Sequence, residues 1–197
     1  MPFNMRISIV IFCFVSSSLS LLAQTDSESV SKKKVVYFNT FSAGGLLGES
    51  GYGAGVTLST THGVRLDRLA VGGGVGFDSY MDWKTVPVFG AISFDFGKIK
   101  RNAFFVQFHA GYSDAKRVNR EEWLTDYREY GGEMICAMLG YRISTEKFSL
   151  YMSGGHKFQK AHFSYNAQPW SSFAPSPSHS VEESMNRLVV QIGFGLH

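Results

Sequence analysis

The chain has 197 residues, of which 44% are hydrophobic, 15% are aromatic and 21 are glycine. Its net charge of +3 is too small and too evenly spread for a nucleic-acid binder. Cys13 and Cys136 are its two cysteines, so an exported form that has lost the first contains no internal disulfide.

The first residues have the pattern of a secretory signal peptide. Arg6 gives a basic start, Ile7–Val15 is an apolar run, and the small residue Ala23 precedes the expected cut. A membrane-anchoring helix is the alternative, but a spanning helix needs roughly 20 mainly apolar residues and the end of this segment is serine-rich. We therefore expect three parts: a signal peptide (1–23), a short periplasmic N-terminal segment (24–34) and a β domain (35–197).

Eight segments alternate with period two between turn residues, a pattern typical of β-strands. One face of each segment is apolar and often aromatic, and the other is small or polar. Each has about the 9–11 residues that a tilted strand needs to cross a bilayer. The predicted strands are Val35–Leu46, Tyr52–His62, Arg68–Ser79, Thr85–Phe96, Ala103–Ser113, Glu133–Ser144, Lys147–Gln159 and Met185–Leu196.

The seven connections between these segments, numbered in chain order, differ in length between odd and even numbers. The even ones are short, at Gly63–Asp67, Gly97–Asn102 and Thr145–Glu146, whereas the two longest, 114–132 and 160–184, are odd. An up-and-down barrel places all odd connections at one end, and outer-membrane barrels have short periplasmic turns and longer extracellular loops. A Greek-key sandwich has no reason to sort its connections in this way.

Aromatic residues near the predicted strand ends agree with a membrane barrel, because such barrels carry aromatic girdles at both interfaces. An ordinary aromatic core is the alternative. The expected girdle residues are Tyr37, Tyr80, Trp83, Tyr112, Tyr130, Tyr141, Phe148 and Phe163.

Several runs resemble small outer-membrane β-barrel proteins of the OmpA/OmpX-like and PorT-like kind. They are the glycine-rich runs 51–66 and 70–80, the Val-Pro-Val-Phe sequence at 86–89 and the His-Ala-Gly-Tyr sequence at 109–112. The resemblance covers nearly all of the chain after residue 23. It implies an eight-stranded, all-antiparallel, porin-like transmembrane barrel in a Gram-negative outer membrane. Such barrels often end on an aromatic residue, whereas this chain ends on His197.

The interior of an eight-stranded barrel is only wide enough for side chains. The inward positions carry both acids and bases, so we expect a charge-paired plug rather than a channel, with a proton or ion path as the alternative. The expected inward polar residues are Asp78, Asp95, Gln107, His109, Glu133, Arg142, Tyr151, Lys157, Arg187 and Gln191.

Cofactor and metal sites are not indicated. The glycines at 72–76 lack the third glycine of a dinucleotide fingerprint, because Phe77 stands there, and no Gly-Lys-Ser/Thr follows. The six histidines are scattered without ligand spacing. We therefore expect neither a cofactor nor a metal.

One constellation could carry catalysis. His162 and Ser164 would share a strand face, because residues i and i+2 do, and Glu182 or Glu183 would be placed to orient the imidazole. The pair is similar to the His-x-Ser core of the eight-stranded outer-membrane lipid A deacylases. In those enzymes an Asn-Ala pair follows nearby, and in this chain Asn166-Ala167 stands one residue later than that pattern. A lipid A acyl-ester hydrolase using His162, Ser164 and Glu182 is therefore an alternative.

The main hypothesis is a non-enzymatic outer-membrane barrel in contact with lipid. Its role is structural, or it binds an extracellular or envelope protein through the loops at 114–132 and 160–184, since loops on a rigid scaffold often carry function. A second alternative is a soluble, calycin-like barrel whose apolar faces turn inward around a small ligand.

Overall fold

The computed structural model describes residues 35–48, 53–99, 101–118, 124–145, 147–167 and 178–196. The predicted signal peptide (1–23) and N-terminal segment (24–34) lie outside them. The described residues form one closed barrel of eight antiparallel strands in sequential order, as predicted. The strands are β1 (Val35–Leu47), β2 (Gly55–Leu66), β3 (Leu69–Ser79), β4 (Trp83–Ile99), β5 (Asn102–Arg117), β6 (Leu124–Ser144), β7 (Phe148–Ala167) and β8 (Ser178–Leu196).

Strand pairing around the barrel fixes how far the strands tilt. A path from Tyr37 along paired residues returns to β1 at Leu47, ten residues further on, after passing Val64, Val71, Ile92, Phe108, Ala137, His156 and Leu188. A shear of ten over eight strands corresponds to a tilt of about 40°.

Apolar side chains cover the outside of the barrel. Val88 is 62% exposed, Met152 62% and Ile192 67%, and the other exposed large hydrophobic residues follow the same alternation along the strands. On β2 the outward residues run from Val56 to Leu66, a distance of about 25 Å along the barrel axis, which matches the apolar band of outer-membrane barrels. The soluble-barrel alternative requires these side chains to point inward, which they do not.

Four strands extend four or more residues further than predicted at the end of the long connections. β5 continues to Arg117, β6 starts at Leu124, β7 continues to Ala167 and β8 starts at Ser178, so most of 114–132 and 160–184 is strand rather than loop. These added parts of β5–β8, at 114–117, 124–132, 160–167 and 178–184, lie beyond the apolar belt, and we call them together the extension. Residues 178–182 of β8 are exposed on both faces, so the apolar alternation that marks a strand in the sequence disappears there while backbone pairing with β7 continues.

Two of the three short turns at the other end are tighter than predicted. β2 extends through Gly63 to Leu66, which pairs with Leu69, leaving a two-residue turn at Asp67 and Arg68. Asp67 adopts a φ of 55°, a left-handed conformation that aspartate tolerates better than most residues. Among the described residues, no helix is long and apolar enough to cross a membrane.

Candidate functional site

At the short-turn end of the lumen, one carboxylate holds two guanidinium groups. Asp95 accepts hydrogen bonds from Arg65 at 2.7 Å and from Arg142 at 2.9 Å. The Arg142 guanidinium also lies over the Phe105 ring, 4.7 Å from its centroid. Arg142 and Asp95 are buried, so removing the carboxylate would leave two neighbouring cations inside the barrel without a counter-charge.

A second ion pair lies near the opposite end of the lumen. Lys157 Nζ donates to Asp78 Oδ2, and Thr57 Oγ1 donates to Asp78 Oδ1 at 2.6 Å. All three side chains are buried. Both oxygens of the carboxylate therefore have a donor, which is what allows a buried charge pair to be tolerated.

An uncharged layer separates the two ion-paired groups. His109 stacks on Phe89 with ring centroids 4.4 Å apart, and Gln191 donates to the sulfur of Met138. Two cavities along the described lumen have volumes of only about 20 Å³ each, space for a single water molecule. Side chains thus fill most of the interior around these residues.

Nine of the ten predicted inward polar residues point into the barrel; the exception is Glu133. Met134 is buried and Glu133 is exposed, because even-numbered residues of β6 face inward in this region. Three predicted girdle aromatics are also wrong, since Tyr80, Trp83 and Phe163 are buried inside the barrel or its extension. Position near a strand end does not reveal which face a side chain occupies.

An aromatic cluster that no sequence pattern indicated lies inside the extension. The Trp83 and Phe163 rings are 6.0 Å apart, and the Arg117 guanidinium lies 5.1 Å from the Phe163 centroid. Trp83 Nε1 donates to Glu183 Oε2 at 2.7 Å, across 100 residues of sequence. These contacts join β4, β5, β7 and β8, so the projecting strands have a packed interior of their own.

The predicted catalytic residues are only partly assembled. His162 Nδ1 lies 3.8 Å from Glu182 Oε2, but the other carboxylate oxygen accepts a hydrogen bond from Lys160 at 2.9 Å. That hydrogen bond lowers the pKa of Glu182 and raises the pKa of Lys160. Among the described residues no hydrogen bond joins His162 to Ser164. The proposed base and nucleophile therefore share a strand face without being connected.

One edge of β8 is unpaired above the barrel wall. β7 pairs with β8 along its full length to Ser178, whereas β1 pairs with β8 only as far as Leu188. Within the described part of the chain, no strand pairs with the other edge of residues 178–186. We call this stretch the free edge; its backbone N–H and C=O groups are available to another extended chain.

Comparisons with known proteins support the architecture. No protein-family model and no curated protein matches the chain. Neisserial surface protein A (NspA) has a similar structure, with a TM-score of 0.55 at 10% sequence identity, over 83% of this chain and 98% of NspA. The translocator domain of the autotransporter NalP from Neisseria meningitidis aligns over 96% of this chain at 11% identity, but its TM-score of 0.28 is too low to bear on the fold.

NspA therefore shares the barrel fold with this chain. That agrees with the resemblance to small outer-membrane barrels, although no family match narrows it further. Sequence identity of 10% is too low to transfer residue roles. The described residues contain no group of three or more histidine, cysteine, aspartate or glutamate side chains that could hold a metal ion.

The ion pair between Asp78 and Lys157 gives a direct test of the lumen. Lys157→Met leaves a buried carboxylate with Thr57 as its remaining donor, and we expect it to lower the free energy of unfolding by about 3–5 kcal/mol. The double variant Asp78→Asn/Lys157→Met removes both charges and should recover most of that loss. Urea unfolding in lipid vesicles, followed by tryptophan fluorescence, measures both. A double variant no more stable than Lys157→Met would contradict the assignment.

Proposed function

We propose that the chain is a non-enzymatic integral protein of a bacterial outer membrane, which binds an extracellular protein through its projecting strands. The apolar belt, the expected signal peptide and the fold shared with NspA support the location. The observation that carries the binding role is the free edge, a one-sided strand held above the belt by a packed extension.

The barrel serves as a closed scaffold rather than a pore in this proposal. The buried ion pairs at both ends of the lumen and the small size of the cavities between them support a plugged interior. Moving an ion through would require displacing Asp78–Lys157 and Arg142–Asp95 contacts together, at a large electrostatic cost.

We therefore expect no ion conductance. The purified barrel, reconstituted in a planar bilayer in molar salt, should show no channel openings above background. The variant Asp95→Ala/Arg142→Ala, which empties part of the lumen, is the matched comparison. Regular openings of the unmodified protein, in preparations whose electrophoretic mobility shifts on boiling, would refute the plug.

Recognition through the free edge would follow β-strand addition, in which main-chain hydrogen bonds supply affinity. On β8 the Val190 carbonyl points toward Gly44 of β1. Since backbone groups alternate sides along a strand, even-numbered residues direct their N–H and C=O groups toward the free edge. Ser180 and Ser184 are therefore edge positions that take no part in pairing with β7.

Proline at these positions tests the proposal without unfolding the barrel. Ser180→Pro/Ser184→Pro removes two outward N–H donors at sites where an edge strand tolerates proline. At about 0.5–1.5 kcal/mol per hydrogen bond, we expect roughly tenfold weaker binding of extracellular proteins to outer-membrane vesicles carrying the variant. The control Ser180→Ala/Ser184→Ala should bind like the unmodified protein. Equal binding by the proline and alanine variants would rule out recognition through the edge.

The esterase alternative has its own test. Because His162 is not hydrogen-bonded to Ser164, we expect no hydrolysis of lipid A acyl chains. Mass spectrometry of lipid A should give the same acylation pattern in cells that produce the protein, cells that produce Ser164→Ala and cells that produce neither. Deacylated lipid A that appears with the unmodified protein and disappears with Ser164→Ala would establish the enzyme instead.

A further inference from the structure

Four polar side chains form a cluster on the outward surface of β1 and β2. The Tyr37 hydroxyl lies 2.7 Å from His62 Nδ1, and Thr60 Oγ1 lies 3.3 Å from His62 Nε2. Thr60 Oγ1 also lies 3.5 Å from Asn39 Oδ1, near enough to donate a hydrogen bond. We call Tyr37, Asn39, Thr60 and His62 the lateral polar cluster.

The lateral polar cluster lies within the apolar belt. On β2, the exposed residues Val64 and Leu66 flank His62 on one side, and Leu58 and Val56 lie beyond Thr60 on the other. With a tilt of about 40°, His62 is roughly 10 Å from Leu66 along the barrel axis, close to the middle of the belt. Acyl chains offer no hydrogen-bond partner at that depth, so polar side chains there indicate a protein contact or a functional site.

The cluster has unused hydrogen-bonding capacity. Asn39 Oδ1 accepts from Thr60, but among the described residues the Asn39 side-chain N–H groups donate to no acceptor. His62 and Tyr37 satisfy each other. The amide donors therefore require a partner outside this barrel, and hydrocarbon cannot be that partner.

The surface beside the cluster allows a close approach. His62 pairs with Gly73, which pairs with Gly90. A Cβ added at Gly73 would meet its nearest neighbour at 3.6 Å, and one at Gly90 at 3.9 Å, whereas one at the inward-facing Gly72 would clash at 2.3 Å. The packing of this barrel thus does not require glycine at 73 or 90. Glycine there instead leaves the outer surface without side chains, and small residues let membrane-embedded surfaces approach closely.

The wall of the barrel is also lowest on this side. β1, β2 and β3 have 13, 12 and 11 residues, whereas β6, β7 and β8 have 21, 20 and 19. The projecting extension is therefore on the far side from the β2–β3 hairpin. Another integral barrel can meet this face within the bilayer without colliding with strands above the membrane.

We infer that this face pairs with the same face of a second copy of the chain, side by side in the bilayer. The lateral polar cluster contains no acidic, lysine or arginine side chain, and it presents both donors and acceptors, so it is complementary to itself. A twofold axis beside Asn39 brings the amide donors of each copy to the amide oxygen of the other, as isologous interfaces require. A separate partner with matching chemistry is not needed.

Cysteine cross-linking in intact outer membranes tests the pairing. Val64→Cys places a thiol beside the cluster without changing its four residues, and Leu139→Cys places one on β6, on the opposite side of the barrel. Cys136 is buried in the lumen, so it does not compete for a bis-maleimide reagent. We expect a dimer with Val64→Cys and none with Leu139→Cys. Adding Asn39→Leu/His62→Leu to Val64→Cys should lower the dimer yield about tenfold.

A shift in electrophoretic mobility on boiling, retained by every variant, shows that the barrel itself is intact. Equal dimer yields from Val64→Cys and Leu139→Cys would indicate random collision and would overturn the inference. So would the absence of a dimer with Val64→Cys, a yield unaffected by Asn39→Leu/His62→Leu, or a cross-link to a different protein.

Discussion

Closure of β1 on β8 is the constraint on which the rest of this structure depends. A backbone in hydrocarbon must satisfy its hydrogen bonds internally, and a sheet does so only when it has no edge within the bilayer. Eight strands with a shear of ten achieve this with short turns at one end. Among the described residues, the part of β8 that pairs on one side only is 178–186, above the apolar belt, where water can solvate the backbone.

The same closure sets the character of the interior. A barrel of eight strands leaves room only for side chains, so charged residues inside must find partners within a narrow space. Asp95 lies between two arginines, and Asp78 lies between Lys157 and Thr57. These pairs join strands across the lumen, Asp95 on β4 to Arg142 on β6 and Asp78 on β3 to Lys157 on β7. Such pairs are weak contributors to net stability, because desolvation offsets much of the Coulomb attraction.

Sequence periodicity was sufficient for the number, order and direction of the strands, because the bilayer imposes apolar alternation on every spanning segment. The periodicity did not predict the parts of the strands that lie beyond the apolar belt, where no such alternation is imposed. Residues 178–182 of β8 are exposed on both faces, so that part of the strand has no apolar alternation. The charge pairs inside the lumen were likewise unpredictable as pairs: Asp78 and Lys157 are 79 residues apart, and only the register of the strands between them brings them together. Glu133 was misplaced although regular alternation along β6 from the inward-facing Arg142 puts it on the outer face.

The unequal heights of the strands make the rim of the barrel asymmetric. β1 ends at Leu47 while β8, its neighbour, continues upward for ten more residues. The rim of the barrel therefore has a step, and the exposed backbone of β8 forms the vertical side of that step. A chain arriving along the membrane plane, over the low wall of β1, meets this backbone head-on. Access to this edge of β8 is thus set by the outline of the rim, which is low on the β1 side.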